Sequence, residues 1–168
     1  MSARPVDVVE GPRVETRAAV PTIGIREIVP FRTMLAQRDR LLKELVLWLA
    51  EHGVEPEGPF FLRLHVVNMS DLMDIEVGVA ASTAESDDRV RPGVLPAGDY
   101  AVLSYRRTSL GANGLLQSWA RQQGLTFDAK PVASGDAWVC RCEIYLTDPR
   151  TQPRKTEWIV ELAFLTAP

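Results

Sequence analysis

Cysteine and histidine are scarce in this chain, and neither charge sign forms a long block. Cys140 and Cys142, the only cysteines, lie two apart in one strand-like run. That spacing offers neither disulfide geometry nor the four ligands of a structural zinc site. They read as reduced packing residues. His52 and His65 are too few and too far apart to hold a metal, so no metal or other cofactor is expected. A formal charge of -3 without a basic run leaves no electrostatic footprint for nucleic acid or an anionic membrane, and neither is expected as a direct partner. No apolar run reaches bilayer length, and Met1 to Pro12 lack the charged start and apolar core of a signal peptide. A cytoplasmic protein is the expectation. Gly111-Ala112-Asn113-Gly114 lacks the Lys and Ser/Thr of a phosphate loop, and no Ser-His-Asp order or reactive-Cys signature stands out.

What the chain has is an internal echo. The segment Leu42-Lys43-Glu44-Leu45-Val46-Leu47-Trp48 to Gly53 is answered by Leu115 to Gly124, with a Trp five residues before each Gly (Trp48, Trp119). Each helix-like segment leads into two strand-like runs, and the second run of each pair carries a Glu among apolar residues, Glu76 and Glu161. The expected class is α+β: duplicated strand-helix-strand-strand modules forming one antiparallel sheet, two helices on one face, and a ligand cleft at the module seam. Residues 1–12 are expected to be a flexible tail, and residues 13–168 a single domain. Repeat 1 covers 13–82, a linker 83–94, and repeat 2 covers 95–168. The stretch before residue 13 is too short for a helix-turn-helix, so a stand-alone domain is expected.

Within repeat 1, Arg13 to Val29 reads as extended chain broken near Pro21. A helix runs from Thr33 to a cap at Gly53, and strands cover Phe60 to Asn68 and Met73 to Ala81. Within repeat 2, a turn at Leu95 to Asp99 precedes a strand from Tyr100 to Tyr105. A helix spans about Ser109 to Gln123, followed by strands Trp138 to Leu146 and Glu157 to Leu165. Two-residue alternation puts Leu62, Leu64, Ile75, Val77, Trp138, Cys140, Cys142, Ile144, Trp158, Val160 and Leu162 on the apolar side. The opposite side then carries Arg63, His65, Glu76, Arg141, Glu143, Tyr145 and Glu161 as one polar face.

Three carboxylates on one face supply a handle for a cationic, lipophilic ligand, or a proton donor or acceptor. The bland alternative is that the two arginines would pair internally with two of them, and Glu76 and Glu161 repeat as structural elements would. Glu143 differs, because alignment of the modules sets it opposite Arg63, so the scaffold alone does not explain it. Tyr145 shares its parity and gives an aromatic wall. His65 is a weaker candidate for proton transfer. Trp48 and Trp119 are core residues, while a strand bulge at Trp138 or Trp158 would turn either ring toward the cleft.

The plan and its motifs resemble the GyrI-like small-molecule-binding domain, also called the AraC-type effector-binding domain. The matching pieces are Gly58-Pro59-Phe60-Phe61-Leu62-Arg63-Leu64-His65-Val66-Val67-Asn68-Met69, Met73 to Val79, Leu95 to Val102, Glu143-Ile144-Tyr145-Leu146-Thr147-Asp148-Pro149 and Trp158 to Ala163. The resemblance implies a pocket at the seam of the repeats for drug-like, often cationic aromatic molecules, with Glu143 in it and Tyr145 beside it. The chain departs from the family at Tyr105-Arg106-Arg107-Thr108-Ser109, where a His-x-Gly-Pro-Tyr-like stretch is usual, and at Val160, where a Thr is usual.

The leading expectation is therefore a binding protein for hydrophobic or cationic aromatic small molecules, used for sensing or sequestration. Its ligand residues would be Glu143, Tyr145, Arg63, His65, Arg141, Glu76, Glu161, Tyr105 and Trp138, and it would be a monomer or weak homodimer. The alternative is a hydrolase opening cyclopropane-bearing genotoxic natural products, with Glu143 positioning or deprotonating water. A further alternative is an interaction module that modulates gyrase.

Overall fold

The computed structural model describes residues 5–168. Ten strands and two helices follow in the order β1 (Asp7–Arg17), β2 (Val20–Pro30), α1 (Met34–His52), β3 (Phe60–Val67), β4 (Leu72–Ala80), β5 (Arg91–Leu95), β6 (Gly98–Arg106), α2 (Ser109–Gln122), β7 (Ala129–Val132), β8 (Gly135–Trp138), β9 (Arg141–Tyr145) and β10 (Val160–Leu165). All pairings are antiparallel, in the order β1-β6-β10-β9-β3-β4-β2-β5, with the β7–β8 hairpin attached to β3. The α+β class with one antiparallel sheet and two helices is as expected, and it fits the GyrI-like fold. Reading outward from the central β3–β9 pair, each half contributes two hairpinned strands, then the strand preceding its helix. No helix among the described residues is long and apolar enough to cross a membrane.

Local signals explain the elements. Leu41, Leu42, Leu45, Trp48 and Leu49 form the buried stripe of α1, and Gly53 ends it in the left-handed region at a φ of 62°. In α2 the buried stripe is Ala112, Leu116 and Ala120. α1 packs on β2 and β4 and α2 on β6 and β1, so each helix covers its own half of one sheet face. The gap between them runs above the β3–β9 pair.

The sheet must also curl. β1 and β2 are six strand positions apart, about 29 Å in a flat sheet, yet only Ala18 and Ala19 join them, a link of about 11 Å at full extension. The connection from β5 to β6 is equally short and closes the same curl. The face away from the helices is therefore concave, with its own buried cluster of Phe61, Tyr100, Val102, Cys140, Cys142, Ile144, Ala163 and Leu165. Gly78 permits the close approach of Phe61: a Cβ there would stand 2.5 Å from the ring and 2.9 Å from the Ile23 carbonyl. Gly78→Ala is expected to cost about 1–3 kcal/mol by overpacking, read as a lower urea midpoint.

Several boundaries differ from expectation. The tail does not extend to Pro12, because β6 offers β1 a partner from Asp7 onward. Residues 1–4 of that tail lie outside the described residues. The break in the first extended segment falls at Ala18 and Ala19, and Pro21 sits inside β2. Part of the linker forms β5 by pairing with β2. The run Trp138 to Leu146 is not one strand: β8 ends at Trp138 and β9 begins at Arg141.

Candidate functional site

The interruption between β8 and β9 decides which side chains meet. Val139 and Cys140 break the alternation. Trp138 therefore packs on the helix-covered side, against Phe164 at 5.5 Å between ring centroids, while Cys140, Cys142 and Ile144 face the concave side. Arg141, Glu143 and Tyr145 consequently point into the seam between the helices. The expected single polar face is thus split across the sheet. Arg63, His65, Glu76 and Glu161 lie on the concave side, and Arg63 and Glu143, aligned as counterparts, face opposite ways: Arg63 pairs with Cys142, and Glu143 with Leu62. The apolar parity faces the helices in β3, β4 and β10, whereas in β9 it packs in the concave cluster, because both faces of the sheet bury apolar side chains.

Glu143 sits in a lateral row of six residues, Leu103, Leu162, Glu143, Leu62, Val77 and Ile25, of which it is the one polar member. Only 8% of it is exposed. It accepts hydrogen bonds from the Ser109 hydroxyl at 3.1 Å and, weakly, from the Tyr145 hydroxyl at 3.5 Å. Among the described residues no cationic side chain comes within 4.0 Å of it. A carboxylate taken out of water into such a row carries a desolvation cost that an adjacent cation offsets.

The neighbouring row places Tyr105 and Tyr145 on either side of Val160. Burial, reinforced by the Glu143 charge, pushes both phenols well above their ordinary range, so they stay protonated hydrogen-bond donors. Arg38 of α1, 7% exposed, lies 5.5 Å from the Tyr145 ring centroid and 5.6 Å from that of Trp158. It donates to the Tyr145 hydroxyl at 3.4 Å and pairs with Asp39 at 2.9 Å, and Asp39 in turn bonds Lys155.

The other end of the seam is built around Arg141, which is 4% exposed. Its guanidinium stacks over Trp138 at 4.6 Å and Phe164 at 4.5 Å, and its Nη2 donates to Asn113 Oδ1 at 3.0 Å. Burial pulls its pKa down to about 10, against the pull of Glu143 and Asp136. Arg141 Nε and Trp138 Nε1 are buried donors with no acceptor among the described residues. Both residues line a cavity of about 470 Å³ with Val67, Gln117 and Asp136. Unsatisfied donors in a cavity wall suit a ligand that brings acceptors.

On the concave side the candidate carboxylates are matched internally, and Arg63 in part, its Nε being a further buried donor without an acceptor among the described residues. Glu161 takes Arg17 at 2.6 Å, Glu76 meets His65 Nε2 at 2.8 Å, and Arg63 donates to the carbonyls of Val94 and Val139 at 2.9 and 2.8 Å. Paired groups of this kind leave little for a ligand to satisfy.

Three seam residues escaped the sequence reading: Arg38, Ser109 and Asn113. Arg38 had a signal, since it follows Met34 by four and precedes Leu41 and Leu45 by three and seven, the apolar stripe of α1. Ser109 and Asn113, four apart at the start of α2, flank the stripe of Ala112 and Leu116.

No protein-family model matches the chain, and no curated protein matches it in sequence. Solved structures share its fold. EcmrR in its DNA complex superposes with a TM-score of 0.70 at 15% identity over 92% of this chain, which spans only 56% of the EcmrR chain. SAV2435 bound to tetraphenylphosphonium gives 0.60 at 14% identity, covering 92% of this chain and 93% of that one. A hydrolase from Listeria innocua gives 0.56 at 8% identity, covering 92% and 91%. At these identities the likeness is one of fold.

Proposed function

We propose that this protein binds a lipophilic aromatic cation in the seam between α1 and α2 and serves in sensing or sequestration. Glu143 supplies the counter-charge, and Tyr105, Tyr145 and Trp158 the aromatic walls. The observation that carries this reading is a buried carboxylate in an otherwise apolar row with no cation of the described residues in ion-pair reach. A delocalised organic cation is easily stripped of water, so it offsets the Glu143 charge at small desolvation cost of its own, and ring faces add cation–π attraction. SAV2435, which shares the fold, is known with tetraphenylphosphonium bound, and this supports that class of ligand here.

The test is titration with tetraphenylphosphonium, followed by intrinsic Trp fluorescence and calorimetry, with neutral triphenylphosphine oxide as the control. Saturable one-to-one binding of the cation, with the neutral compound much weaker, supports the reading. Equal binding of both, or of neither, removes Glu143 from the role. Time-dependent loss of a cyclopropane-bearing alkylator in the same tube would instead favour the hydrolase alternative, in which Glu143 acts on water.

Arg38 already occupies two ring faces as an internal cation. An incoming cation must displace it or share the site with it. Arg38→Met keeps the packing volume and removes the charge, and it is expected to tighten tetraphenylphosphonium binding by about tenfold, in line with a cation–π contact of 1–2 kcal/mol. Binding of the neutral control should change little, a difference that calorimetry on the two ligands reads directly.

A further inference from the structure

The concave side of the sheet holds a second cavity, of about 310 Å³, between the β1–β2 and β5–β6 connections. Phe61, Leu95, Tyr100 and Ala163 are among its walls, together with both cysteines of the chain. Cys140 and Cys142 are each 1% exposed and unoxidised, and their sulfurs are 3.8 Å apart. The hydrogen bond with Cys142, opposed by burial and helped by the nearby Arg63 charge, lowers the Cys140 thiol below its ordinary range, while Cys142 is raised. Nothing in the seam function uses either residue.

The spacing selects among thiophilic partners. With sulfur bonds of about 2.3 Å, two sulfurs 3.8 Å apart subtend roughly 110° at a shared atom, whereas a linear two-coordinate ion would hold them about 4.6 Å apart. A structural zinc ion needs four protein ligands, and the described residues contain no group of three or more His, Cys, Asp or Glu able to hold a metal. An occupant that bends between the two sulfurs brings its own remaining substituent, and the mostly apolar wall, with the Arg17–Glu161 ion pair as its charged part, favours an apolar one.

We propose that Cys140 and Cys142 form a dithiol site for monosubstituted trivalent arsenicals, with the organic group lodged in the concave cavity. Such a compound, R–As=O, has two valences to exchange. Both arsenic–oxygen bonds break, two arsenic–sulfur bonds form, and the oxygen leaves as water with the two thiol protons. Arsenic stays trivalent and sulfur is neither oxidised nor reduced, so no further reactant is needed. Thiolate character at Cys140 favours the first of the two bonds, and the phenyl ring of an aryl arsenical meets Phe61 and Tyr100.

The experiment is intact-mass analysis of the reduced full chain with phenylarsine oxide in excess monothiol, followed by peptide mapping after iodoacetamide. One phenylarsenic unit per chain is expected, resistant to the monothiol, removed by a small dithiol, and protecting both Cys140 and Cys142 from alkylation in the wild type. Cys140→Ser or Cys142→Ser should abolish the monothiol-resistant adduct. Because either substitution is buried, Ala163→Leu provides a second arm: it fills the cavity with both thiols intact and should weaken phenylarsine oxide far more than inorganic arsenite. Glu143→Gln, on the other face, should leave the adduct unchanged. Absence of the wild-type adduct, alkylation of either cysteine despite it, or its persistence in a folded Ser variant would overturn the assignment.

Discussion

Glu143→Gln is expected to weaken tetraphenylphosphonium binding by about two orders of magnitude, the scale of removing one partner from a buried charge pair, at 2–5 kcal/mol. The substitution keeps shape and hydrogen-bonding reach, so Ser109 and Tyr145 retain a partner. The free protein should show the opposite response. A buried carboxylate without a cation is a liability for folding, and its neutral isostere should leave the urea midpoint equal or higher. Affinity down with stability held or raised is a combination that a merely structural Glu143 would not give. If stability falls together with affinity, Glu143 is holding the seam together, and the proposed ligand role fails.

Phe164→Ala should give the largest loss of stability. Phe164 is fully buried on the helix-covered side, with Trp138 and Phe127 at 5.5 and 5.7 Å between ring centroids and the Arg141 guanidinium at 4.5 Å. Truncating a buried Phe costs about 3–5 kcal/mol through lost transfer energy and the cavity left behind. In a chain of 168 residues that corresponds to a fall in Tm of roughly 10 °C. The substitution also removes one of two rings against a buried arginine that already has an unsatisfied Nε. Urea denaturation and a thermal melt read both consequences, and a loss below about 1 kcal/mol would show that the seam collapses around the gap.

Much of the fold was legible because it rests on local periodicity. The α1 stripe and its Gly53 cap, the alternation of β3 and β4, and the Glu76 and Glu161 positions all follow from patterns of 3.6 and 2 residues. The start of β1 before Arg13, β5 and the β7–β8 hairpin were not, because their residues are largely exposed and take strand geometry from the partners they meet. Ladder hydrogen bonds between distant segments leave no local mark in such sequences.

The site divides the same way. Glu143 stood out because alignment of the two modules sets it opposite Arg63, and Tyr145 because it shares the parity of Glu143. Their company could not be read, since the apolar parity of β9, Cys142 and Ile144, packs in the concave cluster and not under the helices. The two residues between β8 and β9 then shifted Trp138 relative to Cys140. The amino-acid sequence by itself determined the class, the helices and the central strands, because each depends on neighbours within a turn or a hairpin. Tertiary structure alone decided that His65, Glu76 and Glu161 are paired on one side while Glu143 lies under-partnered on the other. That outcome depends on which face two distant helices cover and on a curl imposed by two short links, and both arise from contacts far apart along the chain.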